Sequence, residues 1–109
     1  MLEINKNNIK LTRGDSAVID LVIYMPDGTI YELEEGDKVY FGVRLLPKKA
    51  PGEQMLLEKE FESNEIKIES GDTAFLKYGR YFYDCSLIFA DGDINTICAG
   101  DFTITHEVN

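Results

Sequence analysis

The sequence predicts an all-β fold, and three observations support this prediction. Short segments of alternating apolar and polar residues recur along the 109-residue chain, which is typical of half-buried strands. Turn residues separate these segments at intervals of about eight to twelve residues. Residues 79–98 read as a strand, a turn at Asp91-Gly92 and a returning strand, a strong hairpin signal. We therefore expect a Greek-key antiparallel β-sandwich of about eight strands.

Composition narrows the class of protein. A chain of 109 residues is long enough for one hydrophobic core and too short for two, so residues 1–109 are expected to form a single domain. The formal net charge is −9, with 20 acidic against 11 basic residues. Because phosphate binding requires a basic surface, we expect no nucleic-acid partner.

The sequence also lacks the patterns of export and membrane insertion. No apolar run approaches the roughly 18 residues of a membrane-spanning helix. Residues 1–6 do not have the basic and then apolar layout of a signal peptide. We therefore expect synthesis in the cytoplasm and no membrane partner.

The first half of the chain contains four predicted strands. Apolar and polar residues alternate over 9–11. In residues 17–23 the odd-numbered side chains, which are all apolar, are directed inward. Residues 25–28 (Met-Pro-Asp-Gly) form a turn, because proline presets φ and glycine adopts a positive φ at little cost. A strand over 29–33 follows, and residues 39–45 form the next strand with their odd-numbered side chains inward.

The longest predicted loop spans residues 47–52. Pro47, Lys48, Lys49 and Pro51 disfavour regular structure and favour exposure to solvent. This loop is a candidate contact with a partner.

The second half contains a further predicted strand pair in addition to the hairpin over 79–98. Residues 55–61 and 65–69 alternate on either side of Ser63-Asn64, which predicts a hairpin. A helix over 53–62 is the alternative, because glutamate, leucine and lysine favour helices. Residues 101–106, after the last hairpin, are predicted to form a strand that can lie at an edge.

One short helical turn is predicted near residues 71–77. Asp72 or Ser70 would cap it, since both are favourable at a helix N-terminus. Phe75 or Leu76 would then close the end of the sandwich.

The register of the last hairpin brings the two cysteines together. Counting outward from a two-residue Asp91-Gly92 turn, Phe89 pairs with Ile94 and Cys85 with Cys98. By this count the cysteines form a non-hydrogen-bonded pair. Opposed Cα atoms at such a pair lie about 4.5 Å apart, at the lower edge of disulfide geometry. We expect reduced thiols that face each other, with a strained disulfide as the alternative.

Three motifs suggest chemistry, and each has a simpler structural interpretation. Residues 13–15 spell the integrin-binding Arg-Gly-Asp tripeptide but also make a good turn. Residues 91–93 resemble part of a calcium loop whose other ligands are absent. Cys85, Cys98 and His106 lack the paired spacing of a zinc site, and the register buries both cysteines away from this single histidine. We therefore predict no metal, no cofactor and no enzymatic activity.

Three tyrosines near the final strand admit two interpretations. An exposed platform of Tyr78, Tyr81 and Tyr83 would stack on sugars, which makes a carbohydrate-binding module the alternative function. Tyr81 and Tyr83 share the inward parity of Cys85, so core packing is favoured. Gly79 followed by Tyr81 at a strand start also resembles the tyrosine corner of immunoglobulin-like sandwiches.

The order of these signals resembles a known family. Four stretches are similar to a small β-sandwich of tail and baseplate proteins of phages and prophages of Gram-positive bacteria: Leu11–Ser16, which opens a strand, Asp27–Leu33, Gly36-Asp37 and Val39–Val43. The closing pattern resembles the N-terminal immunoglobulin-like domain of the phage baseplate upper protein; it comprises Tyr78–Asp84, Asp91–Asp93 and Gly100–Ile104. The resemblance spans nearly the whole chain.

The resemblance implies an immunoglobulin-like fold and a structural role in the virion. The protein would dock onto other phage structural proteins in the tail or baseplate, or onto further copies of itself. Tyr24, Tyr40, Phe82 and Ile88 have outward parities, and Phe82 and Ile88, on one strand, are more apolar than a solvated face requires. We expect a subunit interface that includes Tyr40, Phe82, Ile88 and the 47–52 loop.

Overall fold

The computed structural model describes residues 2–46 and 55–106. Within these residues the chain forms ten strands and one short helix. The strands are β1 (Leu2–Asn5), β2 (Asn8–Thr12), β3 (Ala17–Asp20), β4 (Ile23–Tyr24), β5 (Ile30–Tyr31), β6 (Lys38–Arg44), β7 (Leu57–Phe61), β8 (Glu65–Ile68), β9 (Gly79–Ile88) and β10 (Ile94–Thr105), and helix α1 (Ser70–Thr73) follows β8. The predicted all-β class is confirmed.

The larger layer is a six-stranded sheet in the order β1-β2-β10-β9-β6-β7. Four of its neighbouring pairs are antiparallel, but β10 runs parallel to β2. The sheet is therefore mixed, and the prediction of a purely antiparallel fold is wrong. The predicted strand over 101–106 is confirmed over residues 101–105, with Phe102 and Ile104 buried, but it is the end of β10 and lies between β2 and β9 instead of at an edge.

The smaller layer consists of two strand pairs, β3 with β8 and β4 with β5. The two layers give a sandwich-like arrangement around one hydrophobic core. Its fully enclosed apolar side chains are Leu11, Val39, Phe41, Val43, Ile66, Ile68, Cys85, Phe102 and Ile104. Phe41 lies at the centre of this core, with its ring centroid 5.7 Å from that of Tyr83 and 6.0 Å from that of Phe102.

The connection between β7 and β8 crosses from one layer to the other. The strand prediction for residues 55–61 is confirmed over Leu57–Phe61, but the hairpin at Ser63-Asn64 is wrong, because β7 pairs with β6 and β8 with β3. Asn64 holds the crossing in place: its side-chain amide donates to the Leu21 carbonyl at 2.9 Å, and its own carbonyl accepts from the Leu21 N–H at 2.8 Å.

The helical turn is shorter than predicted and lies slightly earlier in the chain. Helix α1 spans Ser70–Thr73, and the Asp72 carboxylate accepts a 2.8 Å hydrogen bond from the Glu69 backbone N–H. Leu76 is buried and closes this end of the core, whereas Phe75 is 65% exposed.

The turn between β9 and β10 differs from the predicted two-residue turn. The Phe89 N–H donates to the Asp93 carbonyl at 2.8 Å, the Gly92 N–H donates to the Phe89 carbonyl at 2.9 Å, and Gly92 has φ +97°. This is a three-residue loop that ends on a left-handed glycine. Ile88, rather than Phe89, is therefore opposite Ile94.

A β-bulge between Thr96 and Cys98 restores the predicted cysteine register. The extra residue, Ile97, compensates for the one-residue difference at the turn, so that Cys85 is opposite Cys98. The pairing of the cysteines is confirmed, although the turn from which it was predicted is not. Both cysteines are free.

Asp37 links β5, the β5–β6 loop and the β9–β10 loop through one buried carboxylate. It accepts hydrogen bonds from the Tyr31 hydroxyl, from the Glu34 N–H at 2.9 Å and from the Ala90 N–H at 3.1 Å. The Tyr31 hydrogen bond, supported by the two backbone donors, lowers the pKa of Asp37 below its ordinary 3.8. The same hydrogen bond raises the pKa of Tyr31 to about 12.

Acid should remove the stability that Asp37 provides. A carboxyl whose pKa is lowered by folding stabilises the protein above its unfolded pKa and loses this effect as the pH falls through the folded value. We expect Asp37→Asn to be destabilised near neutral pH, and its deficit relative to the wild type to shrink below the ordinary pKa of 3.8. Urea unfolding across this range would measure it, with exposed Asp20→Asn as the control. A deficit independent of pH would contradict the assignment.

Gly100 in β10 is predicted to tolerate no side chain. A Cβ built there would overlap the Asn7 backbone oxygen and lie 2.9 Å from its carbonyl carbon. Because backbone atoms cannot move aside easily, Gly100→Ala should destabilise the fold by about 3 kcal/mol. Urea unfolding followed by circular dichroism would measure the change. In the control, Gly71→Ala, the added methyl meets nothing within 4 Å, and stability should change by less than about 1 kcal/mol; equal losses would contradict the prediction.

Candidate partner-binding face

The large sheet has one side packed against the core and a second side that faces away from it. A shallow groove of about 290 Å³ lies on this second side. We call it the outer groove. It is lined by Tyr40, Arg44, Met55, Glu58, Asp84, Ser86, Ile88 and Ile94.

Strand register explains why these side chains meet. Alternate residues of a strand project to the same side of a sheet. Tyr40 in β6 is opposite Ser86 in β9, and Ile88 in β9 is opposite Ile94 in β10. The groove is therefore assembled from three adjacent strands, together with Glu58 of β7.

The apolar part of the groove is a pair of isoleucines. Ile88 and Ile94 are directly opposed across β9 and β10, and Ile94 is 64% exposed. Simple alternation would have placed Ile94 on the core side, together with Phe102 and Ile104. The bulge at Ile97 reverses this parity, which is why Ile94 was not among the predicted surface residues.

Tyr40 lies across a glycine on the same surface. Its hydroxyl donates to Glu58 Oε2 at 3.0 Å, and a Cβ at Gly42 would overlap this hydroxyl and lie 2.7 Å from the Met55 methyl group. Gly42 therefore leaves room for the ring. Burial raises the pKa of Tyr40 above its ordinary 10.0, and the hydrogen bond to Glu58 raises it further.

The floor of the groove carries an ion pair. Arg44 Nη1 lies 3.0 Å from Asp84 Oδ2, and the two side chains are only 10% and 31% exposed. Ser86, the next outward residue of β9, is also buried. The groove thus combines apolar groups with a partly desolvated charge pair.

The structure brings two of the predicted interface residues together and places the third beside the Arg44 end of the groove. Tyr40 and Ile88 line the same groove. Phe82 is on the same side of the sheet, but it lies six residues from Ile88, or roughly 20 Å along an extended strand. It is opposite Arg44 in the register, and the Arg80 guanidinium lies 5.3 Å from its ring centroid.

The remaining surface predictions have different outcomes. Tyr24 is 66% exposed but belongs to β4 in the smaller layer. The 47–52 loop, with Pro47, Lys48, Lys49 and Pro51, lies outside the described residues.

The sequence did not single out Ile94, Met55 or the ion pair. Arg44 and Asp84 have outward parity and opposite charge on predicted strands, which is a usable signal. It becomes specific only when β6 and β9 are known to be neighbours, because 40 positions separate the two residues.

The residues of the two other candidate motifs, 13–15 and 91–93, make contacts within the fold. Residues 13–15 form a turn in which Gly14 has φ +84° and the Asp15 N–H donates to the Thr12 carbonyl at 3.0 Å. The Arg13 guanidinium lies 4.5 Å from the Tyr78 ring centroid. In the 91–93 turn, Asp91 Oδ1 accepts a 3.0 Å hydrogen bond from the Asp93 N–H.

The zinc and catalytic alternatives required His106 to approach the cysteines. His106 instead lies just beyond the end of β10, with its ring centroid 3.8 Å from that of Tyr78. Eight residues separate it from Cys98, or roughly 25 Å of extended chain. Residues 2–46 and 55–106 contain no group of three or more His, Cys, Asp or Glu side chains arranged to hold a metal ion.

The predicted core positions of two tyrosines are confirmed. Tyr81 and Tyr83 are 7% and 4% exposed, so these rings are not accessible for stacking on a sugar.

Among the described residues, no helix has the length and apolar character needed to cross a membrane.

Comparison of the chain with protein-family models, curated proteins and solved structures finds no match.

The ion pair of the groove should contribute measurably to stability. Exposed pairs contribute about 0–1 kcal/mol, whereas removing one partner of a buried pair costs about 3–5 kcal/mol. Since Asp84 is partly exposed, Asp84→Asn should cost about 2 kcal/mol, an intermediate value. Urea unfolding would measure it.

The matched control is the Lys38–Glu60 pair, whose atoms are 3.8 Å apart and whose side chains are 46% and 52% exposed. Glu60→Gln should change stability by less than about 0.5 kcal/mol. Equal effects of the two substitutions would contradict the distinction between the groove pair and a surface pair.

Proposed function

We propose that this protein is a non-enzymatic structural or assembly module of a phage or prophage tail or baseplate, and that it docks onto another virion protein through the outer groove. The observation that carries this proposal is the pairing of half-buried Ile88 with exposed Ile94, beside Tyr40 and the Arg44–Asp84 ion pair. The family resemblance of the sequence indicates the kind of assembly.

The strand pairing supports an immunoglobulin-like sandwich as the fold. In variable-type immunoglobulin domains, strands G, F and C are neighbours with C′ beyond them, and strands B and E pair in the second sheet. The order β10-β9-β6-β7 and the separate β3-β8 pair follow the same scheme. The short helix α1 then lies between the strands that correspond to E and F.

A hydrogen bond at the start of β9 gives independent support for this fold. The Tyr81 hydroxyl donates to the Lys77 carbonyl at 2.7 Å. A tyrosine near the start of strand F, bonded to the backbone a few residues upstream, is the tyrosine corner of immunoglobulin-like domains. The bond lies at the place that the sequence predicted from Gly79 and Tyr81.

The composition of the outer groove favours a protein partner. Protein interfaces combine a central apolar and aromatic cluster with a polar rim, and tyrosine and arginine are enriched among residues that contribute most to affinity. Ile88, Ile94 and Tyr40 provide the apolar cluster. Glu58 and the Arg44–Asp84 pair provide polar groups that fix the orientation of a partner.

Incorporation into phage particles tests the proposal. We expect the chain to co-sediment with tails or whole particles released after prophage induction of the bacterium that encodes it. In addition, Ile94→Lys should reduce incorporation at least about tenfold, which corresponds to 1.4 kcal/mol of binding free energy.

The control is Val18→Lys, which also replaces an exposed aliphatic side chain with lysine. Val18 is 50% exposed and lies on β3, in the smaller layer. This variant should be incorporated like the wild type, and circular dichroism should show that both variants are folded. Particles that lack the chain would contradict the virion role. Normal incorporation of the Ile94→Lys variant would contradict the outer groove as the docking site.

A further inference from the structure

We propose that Cys85 and Cys98 form an oxidation site for small peroxides, in which Cys98 reacts first and Cys85 then closes a disulfide between β9 and β10. The site is separate from the outer groove, since the cysteines belong to the core side of the sheet. The inference does not depend on the proposed virion role.

The register places the two cysteines at a backbone separation that a disulfide can span. Cys85 and Cys98 are directly opposite each other in the antiparallel pair, where Cα atoms are about 4.5 to 5.5 Å apart. Disulfides span Cα separations of about 4.4 to 6.8 Å. Closing the bond therefore requires little movement of the backbone.

The two thiols differ in access to solvent. Cys85 is 1% exposed. Cys98 is half-buried and lines a groove of about 300 Å³ on the core side of the sheet, between the β1–β2 turn and the end of β3. Tyr83, Ile97 and Val22 also line this groove. A molecule the size of hydrogen peroxide can reach Cys98, whereas Cys85 is covered.

The pKa directions of the two thiols agree with the roles that burial and access assign to them. Their hydrogen bond raises the pKa of Cys85 and lowers that of Cys98, because Cys85 donates and thereby stabilises a thiolate at Cys98. Burial raises the pKa of Cys85 further. The accessible thiol is thus also the one that more readily forms the nucleophilic thiolate.

The reaction is balanced with a peroxide as the only oxidant. The Cys98 thiolate attacks one peroxide oxygen, so that an S–O bond forms, the O–O bond breaks, and the released hydroxide becomes water with the proton of the thiol. The Cys85 sulfur then attacks the sulfenic sulfur. An S–S bond forms, the S–O bond breaks, and the leaving hydroxide takes the Cys85 proton as a second water.

Intact-mass spectrometry of the full chain after treatment with hydrogen peroxide tests the site. We expect the wild type to lose one pair of hydrogens and both of its alkylatable thiols, and to recover them with a reducing agent. Cys85→Ser should stop at a sulfenic acid on Cys98 that dimedone traps. Cys98→Ser should form no disulfide, and its Cys85 should remain unlabelled by dimedone while the protein is folded.

Each contrary result overturns the proposal. Two thiols that stay alkylatable after peroxide treatment would show that the pair does not oxidise, and a disulfide only between chains would show that the register pair is not the partner. Dimedone labelling of Cys85 in the Cys98→Ser variant would reverse the assigned order. Circular dichroism of each variant, with Cys98→Ala as an apolar alternative to Cys98→Ser, separates these results from loss of folding.

Discussion

The β-bulge at Ile97 is the constraint on which the proposed sites depend. It inserts one residue into β10, between Thr96 and Cys98, and thereby reverses the side-chain parity of the residues before it. Ile94 consequently joins Ile88 in the outer groove. After the bulge, Cys98 is opposite Cys85, and Phe102 and Ile104 continue on the core side. Without Ile97, β10 could place Cys98 opposite Cys85 or Ile94 in the outer groove, but not both.

The two sides of the large sheet use different physical interactions. On the core side, the aromatic contacts of Phe41 with Tyr83 and Phe102 exclude water and hold β6, β9 and β10 together. On the opposite side, the Arg44–Asp84 pair joins β6 to β9. The ion pair holds two side chains of the groove floor in place, which suits a surface that docks a partner with little ordering of side chains.

Prediction from the sequence succeeded where a local pattern decides the structure and failed where distant strands choose their neighbours. Alternation identified β6, because Val39, Phe41 and Val43 must all be enclosed. It could not distinguish a hairpin from a crossing at Ser63-Asn64, since the same turn residues serve both. The choice there depends on Leu21, which is 43 positions away and pairs with Asn64.

The sequence by itself determined the all-β class, the inward parity of Tyr81 and Tyr83, and the outward parity of Tyr40 and Ile88, because each follows from alternation within one strand. Only the tertiary structure decided the mixed sheet, the central position of β10 and the assembly of the outer groove. The physical reason is that strand order and bulges are set by packing between segments far apart in the chain. No local residue pattern encodes which edge a strand will pair with.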